Sequence, residues 1–368
     1  MRWFAVFAVV ALLLVSVFSV LSEQDALPQA PVLQTEYERR WVDSDGTVIA
    51  QVHTQPFQAR RGAGWVPIDT TLAVRADGMV APVAAVGDVV FSPGGDGPLV
   101  RLAQMSLTWP TPLPRPVLAG DTATYPQAAP GVDVVLTARP AGFSLTFTLT
   151  TPHAREIRVF AEKVKSGPGG TVTAGQVWGG PVGMRDAAGR TARAVRSVRP
   201  GVLTVRPAQA MLDARWTRYP VAVTQEFSAD PLSWMVVGQS VAGQGYVSQW
   251  RPAGTATAGV SGEYDYRAYF ELTAVPVHGK QVRAARLRIP ACQRVEAWHI
   301  GAFGPATTWM ATEYRELIGV TDCGEVDVTA LMTRAAEQGW QRVSVAFAVR
   351  KDQHPAQFGA PLVEVRYR

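Results

Sequence analysis

Few residues in this 368-residue chain have the types and spacing for chemistry. The only cysteines are Cys292 and Cys323, and a thiol becomes a nucleophile when a neighbouring base lowers its pKa. His299 follows Cys292 closely, yet no cysteine-enzyme signature surrounds the pair. Outside the cytoplasm an even pair of cysteines more often forms a bridge, because disulfides persist there. A Cys292–Cys323 disulfide would close a loop of about thirty residues and contribute on the order of 3–4 kcal/mol.

Other catalytic or metal-binding patterns are missing from the sequence. The histidines at 53, 153, 278, 299 and 354 show no paired ligand spacing. DSDG (43–46) lacks the distal glutamate of a calcium loop and is expected to be a hairpin turn. There is no GxSxG, and no spacing singles out two carboxylates as a glycosidase pair. The expectation is a noncatalytic protein with no cofactor and no metal. Trp298 alternates out of phase with Val295 and Ala297, which turns it to solvent or a second sheet, Trp309 and Trp340 lie near strand ends, and all three are candidates for stacking on sugar rings. The alternative for each is core filling with the indole N–H satisfied.

The elements that must position these residues follow from composition and periodicity. Hydrophobic residues make up 47% and charged residues 18%, which excludes a charge-rich disordered chain. The 33 glycines and 27 prolines fall between short apolar runs, as turn punctuation does. The net charge is +5, carried almost wholly by arginine. With no basic helix, its arginines are read as scattered singly along the chain, so no nucleic-acid partner is expected. Residues 1–22, MRWFAVFAVVALLLVSVFSVLS, join Arg2 to a long apolar run. They are expected to be a signal peptide or an uncleaved N-terminal anchor, the only membrane contact foreseen. In either case the remainder is expected outside the cytoplasm.

Beyond a linker at 23–34, strands dominate. FSLTFTLT (143–150) alternates apolar and hydroxylated residues, which predicts one buried and one wet face. DYRAYFELT (265–273), RVSVAFAVR (342–350) and PLVEVRYR (361–368) alternate in the same way. Proline-rich TWPTPLPRPVL (108–118) is expected to run over the surface, because proline lacks a ladder N–H. The one helix predicted is TALMTRAAEQG (329–339), capped at Asp327 or Thr329 and stopped at Gly339. The fold class is all-β: two tandem antiparallel β-sandwiches, at 35–225 and 226–368, the second jelly-roll-like with one short helix.

Several strings resemble known families. GWVPIDTTL (64–72), GDTATYPQAAPGVDVVLTA (120–138) and RYPVAV (218–223) are similar to the non-repeat region that precedes the repeats in actinobacterial wall-associated RHS/YD-repeat proteins. CQRVEAWHIG, TTW (307–309), VDVTALMTRAAEQGW (326–340) and PLVEVRY (361–367) resemble the DNRLRE-type domain, a jelly roll related to carbohydrate-binding modules. The string that names that domain is absent here, so the resemblance assigns no sugar-binding residue. It implies a secreted or surface-tethered protein of the cell envelope, with cell-wall polysaccharide or envelope proteins as partners. The function expected is noncatalytic, with glycan bound by the C-terminal jelly roll. A protein-interaction or assembly module, or an unrecognised polysaccharide-degrading enzyme, are the alternatives.

Overall fold

The computed structural model describes residues 30–167, 171–243, 245–250, 255–290, 293–304, 307–322 and 324–368. The expected leader at 1–22, most of the 23–34 linker, and both Cys292 and Cys323 lie outside the described residues. The expected all-β class is what the structure shows: antiparallel sheets stacked around apolar cores, with two short α-helices among the described residues.

In the first sandwich an eight-stranded sheet packs on a ten-stranded one. Four consecutive strands of the larger sheet, Thr122–Ala129, Val132–Arg139, Gly142–Leu149 and Val221–Ser228, pair antiparallel along their length. Phe143, Leu145, Phe147 and Leu149 point into the core and are at most 2% exposed, so the alternation settled the buried face. The other face is drier than expected. Ser144 is buried, Thr146 and Thr148 are half-buried, and the Thr146 and Thr224 hydroxyls bond across strands at 2.9 Å. Strands on both sides of Gly142–Leu149 crowd these short side chains, which a one-strand reading cannot register.

The proline-rich stretch needs a similar correction. It skirts the sheet edge and supplies the short edge strand Val117–Ala119, but Trp109 and Leu113 turn inward and are buried. The Trp109 Nε1–H donates to the Ala128 carbonyl at 3.0 Å, which satisfies the indole while its ring packs.

In the second sandwich a six-stranded sheet faces an eight-stranded one. Its strands come from both ends of the described chain. Val48–His53 pairs along its length with Leu362–Tyr367, and Glu38–Val42 pairs with Val48–His53. Ala50 and Val52 lie in one core with Ala285, Leu287, Val363 and Val365. The expectation that residues from 35 onward begin the first sandwich is therefore corrected: residues 33–53 belong to the second. The chain leaves the second sandwich after His53, builds the first, and returns between Ser228 and Trp234. The strand Val48–His53 finds its partner more than 300 residues away, beyond the reach of local pattern.

The helix forms at Thr329–Glu337. The Asp327 carboxylate accepts the Thr329 N–H at 2.8 Å, and Gly339 closes the far end at φ +63°. The Trp340 N–H then reaches back to the Ala335 carbonyl at 3.0 Å, the bond of a Schellman stop.

Candidate functional site

The three candidate tryptophans do not converge. In the strand Val295–Ile300, Val295 and Ala297 face the sandwich core, which turns Trp298 to the outer side of the sheet. There it meets the edge of Tyr314, with centroids 5.6 Å apart and planes at 87°. Trp309 joins the same small apolar cluster, but it is 9% exposed and the Arg267 guanidinium lies 3.6 Å over its ring. Arg267 also lies 4.9 Å over Tyr314, and the Tyr314 hydroxyl bonds that of Tyr269 at 3.2 Å. Burial, reinforced by Tyr269, raises the Tyr314 hydroxyl pKa well above the usual phenol range. These contacts make a second, minor core, with the guanidinium where a sugar ring would stack. Trp340 packs on the other side of the sheet, where it stacks on buried His299 at 5.5 Å.

The expected Cys292–Cys323 bridge cannot be placed, since both residues lie outside the described set. Their described flanks do meet: Ile289 and Gly324 are register partners. Among the described residues no three His, Cys, Asp or Glu side chains gather as metal ligands would, and no helix is long and apolar enough to cross a membrane.

Charged groups and tryptophans meet instead where the chain crosses between the sandwiches. A cleft of about 300 Å³ opens there, walled by Gln55 and Pro56 of the outgoing crossing, Asp230 and Trp234 of the returning one, and the end of the ten-stranded sheet. The tight Arg139–Gly142 hairpin puts Arg139 at the cleft wall. It needs glycine at 142, because a Cβ there would lie 2.0 Å from the Phe227 carbonyl oxygen. Ser144 and Glu226 are register partners on adjacent strands and so face the same side.

Arg139 organises the polar groups. Its Nη2 donates to the Ser144 hydroxyl at 3.1 Å, and that hydroxyl donates to the Glu226 carboxylate. Its Nε lies 3.7 Å from Glu226 Oε2, and its Nη1 lies 4.0 Å from Asp121 Oδ2. The Nε is buried and lies beyond hydrogen-bond distance of Glu226, so charge attraction rather than a short bond holds the pair. Burial raises the Glu226 pKa despite the opposing pull of Arg139 and Ser144. Half-buried Trp178 adds an aromatic wall, while Trp234 is stacked parallel on Phe270 at 5.6 Å. Asp230 is held as structure, accepting the Tyr37 hydroxyl at 2.9 Å and the Leu232 N–H at 2.8 Å.

Fold and cleft together define a protein of two β-sandwiches with a polar, aromatic-walled cleft at their junction. No family model matches the chain, and no curated protein matches it. Sequence reasoning missed every residue of the cleft. The signal available was small: Arg139 and Glu226 are charged residues at outward positions of otherwise apolar-alternating strands.

Proposed function

We infer that this is an exported, noncatalytic protein of the cell envelope that binds glycan in the cleft between its sandwiches. The observation that carries this is a cleft whose lining brings the Arg139 guanidinium together with the Glu226 and Asp121 carboxylates and the half-buried Trp178 ring. A sugar presents hydroxyls that both accept and donate, together with C–H faces that pack on aromatic rings, and this set of groups matches both properties. A noncatalytic role is supported by the place of the Glu226 carboxylate as acceptor of the Ser144 hydroxyl beside Arg139, which sets it in a structural polar cluster. Export rests on the apolar run of residues 1–22. The resemblance to DNRLRE-type domains belongs to the same reading, with the binding surface moved off Trp298, Trp309 and Trp340.

The mature protein is expected to be retained on purified cell-wall polysaccharide without releasing product. Trp178→Ala should weaken retention at least tenfold, and Arg139→Gln should do the same with a lowered melting temperature, since it takes the cation away from largely buried Glu226. Retention by neither wall material nor a glycan array, or undiminished retention by both variants, would overturn the assignment.

A further inference from the structure

The chain's basic charge is not evenly scattered. Residues 185–218 hold eight arginines and two aspartates with no lysine or glutamate, a net charge of +6 where the whole chain carries +5. The remainder is therefore close to neutral, and one short segment accounts for the basicity.

The fold lays that segment along one side of the first sandwich. Its first hairpin, Gly183–Asp186 with Thr191–Arg193, joins the ten-stranded sheet, and its second, Val195–Arg199 with Val202–Arg206, ends the eight-stranded sheet. The two sheets are tied together there, the Arg196 guanidinium donating to the Gly180 carbonyl at 2.9 Å and the Ala194 N–H to the Val182 carbonyl at 3.2 Å. Lys165–Ser166, the last strand of the ten-stranded sheet, reaches the same side and contacts Val195–Arg199. Exposed Lys163 and Lys165 thus come to the strip that carries exposed Arg193 and Arg199. Two other arginines of the region are neutralised, Arg206 by Glu156 and Arg190 by Asp186. Among the described residues, none of Lys163, Lys165, Arg193 and Arg199 has a carboxylate within 4.0 Å. Keeping an edge strand from pairing with another chain takes a charged side chain or a proline on that strand. The cationic strip exceeds that need.

We propose that this cationic edge of the first sandwich, centred on Arg193, Arg199, Lys163 and Lys165, binds an extended anionic polysaccharide. Charge complementarity selects an anion, and the shape selects its form. Arg193 and Arg199 stand six residues apart on two successive short strands, and Lys165 lies on the strand that contacts the second of them, so the cations are spread along one edge rather than gathered in a pocket, which suits a linear chain. The four cations have no aromatic residue interleaved for stacking on bases, and Val195 is the one well-exposed apolar side chain on the strand, a poor basis for insertion into lipid. The choice of polysaccharide rests on envelope residence as proposed above, but the surface is separate from the cleft.

Binding to polygalacturonate and to dextran sulfate should be measured at low and physiological salt, with neutral dextran, duplex DNA and phosphatidylglycerol vesicles in parallel. The protein should bind at least one of the anionic polysaccharides, more weakly as salt rises, and should not bind dextran. The quadruple variant K163Q/K165Q/R193Q/R199Q should lose at least tenfold in affinity and most of the salt dependence, with an unchanged circular dichroism spectrum. The charge-keeping variant R193K/R199K should stay within about threefold of wild type. Arg139→Gln should bind the polyanions normally, which separates failure of the cleft from failure of the edge. Wild-type affinity in the quadruple variant, or tighter binding to DNA or vesicles than to either polyanion, would overturn the proposal.

Discussion

The two sandwiches are closed in different ways. The first is made from one continuous stretch, and its central strands are sequence neighbours joined by tight hairpins. The second is completed only when Val48–His53 pairs with Leu362–Tyr367, so its six-stranded sheet is shut by strands from opposite ends of the described chain. Loop closure over such a distance costs entropy before any contact returns it. The crossings this demands run side by side between the bodies, and the cleft lies against them. The charged cleft is thus a by-product of how the second sandwich closes, whereas the cationic edge belongs to the first alone.

Three measurements test that contrast, beginning with the largest effect. Phe347 is fully buried in the second core against Phe270 and Phe358. Phe347→Ala should cost about 3–5 kcal/mol. Hydrogen exchange should then show residues 33–53 losing protection together with the C-terminal strands while residues 132–149 keep theirs. Loss of protection in 132–149 to the same extent would show that the two bodies unfold as one. Gly142→Ala acts on the first sandwich. The added methyl must displace the Phe227 carbonyl or part the two strands, for an expected loss of about 1–3 kcal/mol, read as a lower melting temperature of the first body with weaker glycan retention.

The smallest effect concerns the join itself. His53 stacks on Phe57 at 3.8 Å, and Arg39 lies over the other ring at 4.7 Å. Burial, with the nearby Arg39 charge, pushes the His53 pKa down to about 4. A lowered folded-state pKa means that the unfolded chain binds the proton more readily. The stability from neutral His53 is therefore full above about pH 6.5 and is lost as pH falls toward 4. On the order of 1–2 kcal/mol is expected after discounting for partial exposure. Denaturant titrations of wild type and His53→Gln between pH 7 and 4 should converge as pH falls, and parallel curves would rule out His53 as the source.

Much of the local structure was legible in the sequence. Alternation picked out Gly142–Leu149 and its buried face, and the capping signals located the helix to within two residues of its observed end. The candidate site was not legible. Arg139 and Glu226 lie nearly ninety positions apart and meet because Arg139 lies at a hairpin end while Glu226 pairs across from Ser144, facts of register that leave no local trace. The tryptophans failed as guides for a related reason: an aromatic near a strand end has the same sequence signature whether it is open or, like Trp309, covered by an arginine from another strand. The cationic edge could have been found without coordinates, since a running charge count isolates residues 185–218, where a view of arginines scattered along the whole chain averaged it away.

By itself the sequence determined what depends on neighbours a few positions apart: which segments are strands, which side of each is apolar, where the helix stops, and where positive charge accumulates. Only the tertiary structure decided which strands pair across the chain, which polar faces are sealed, and that two distant crossings leave a charged cleft between them. The reason is physical. Backbone geometry and side-chain alternation act over a few ångströms along the chain, whereas pairing and burial depend on surfaces brought together through space.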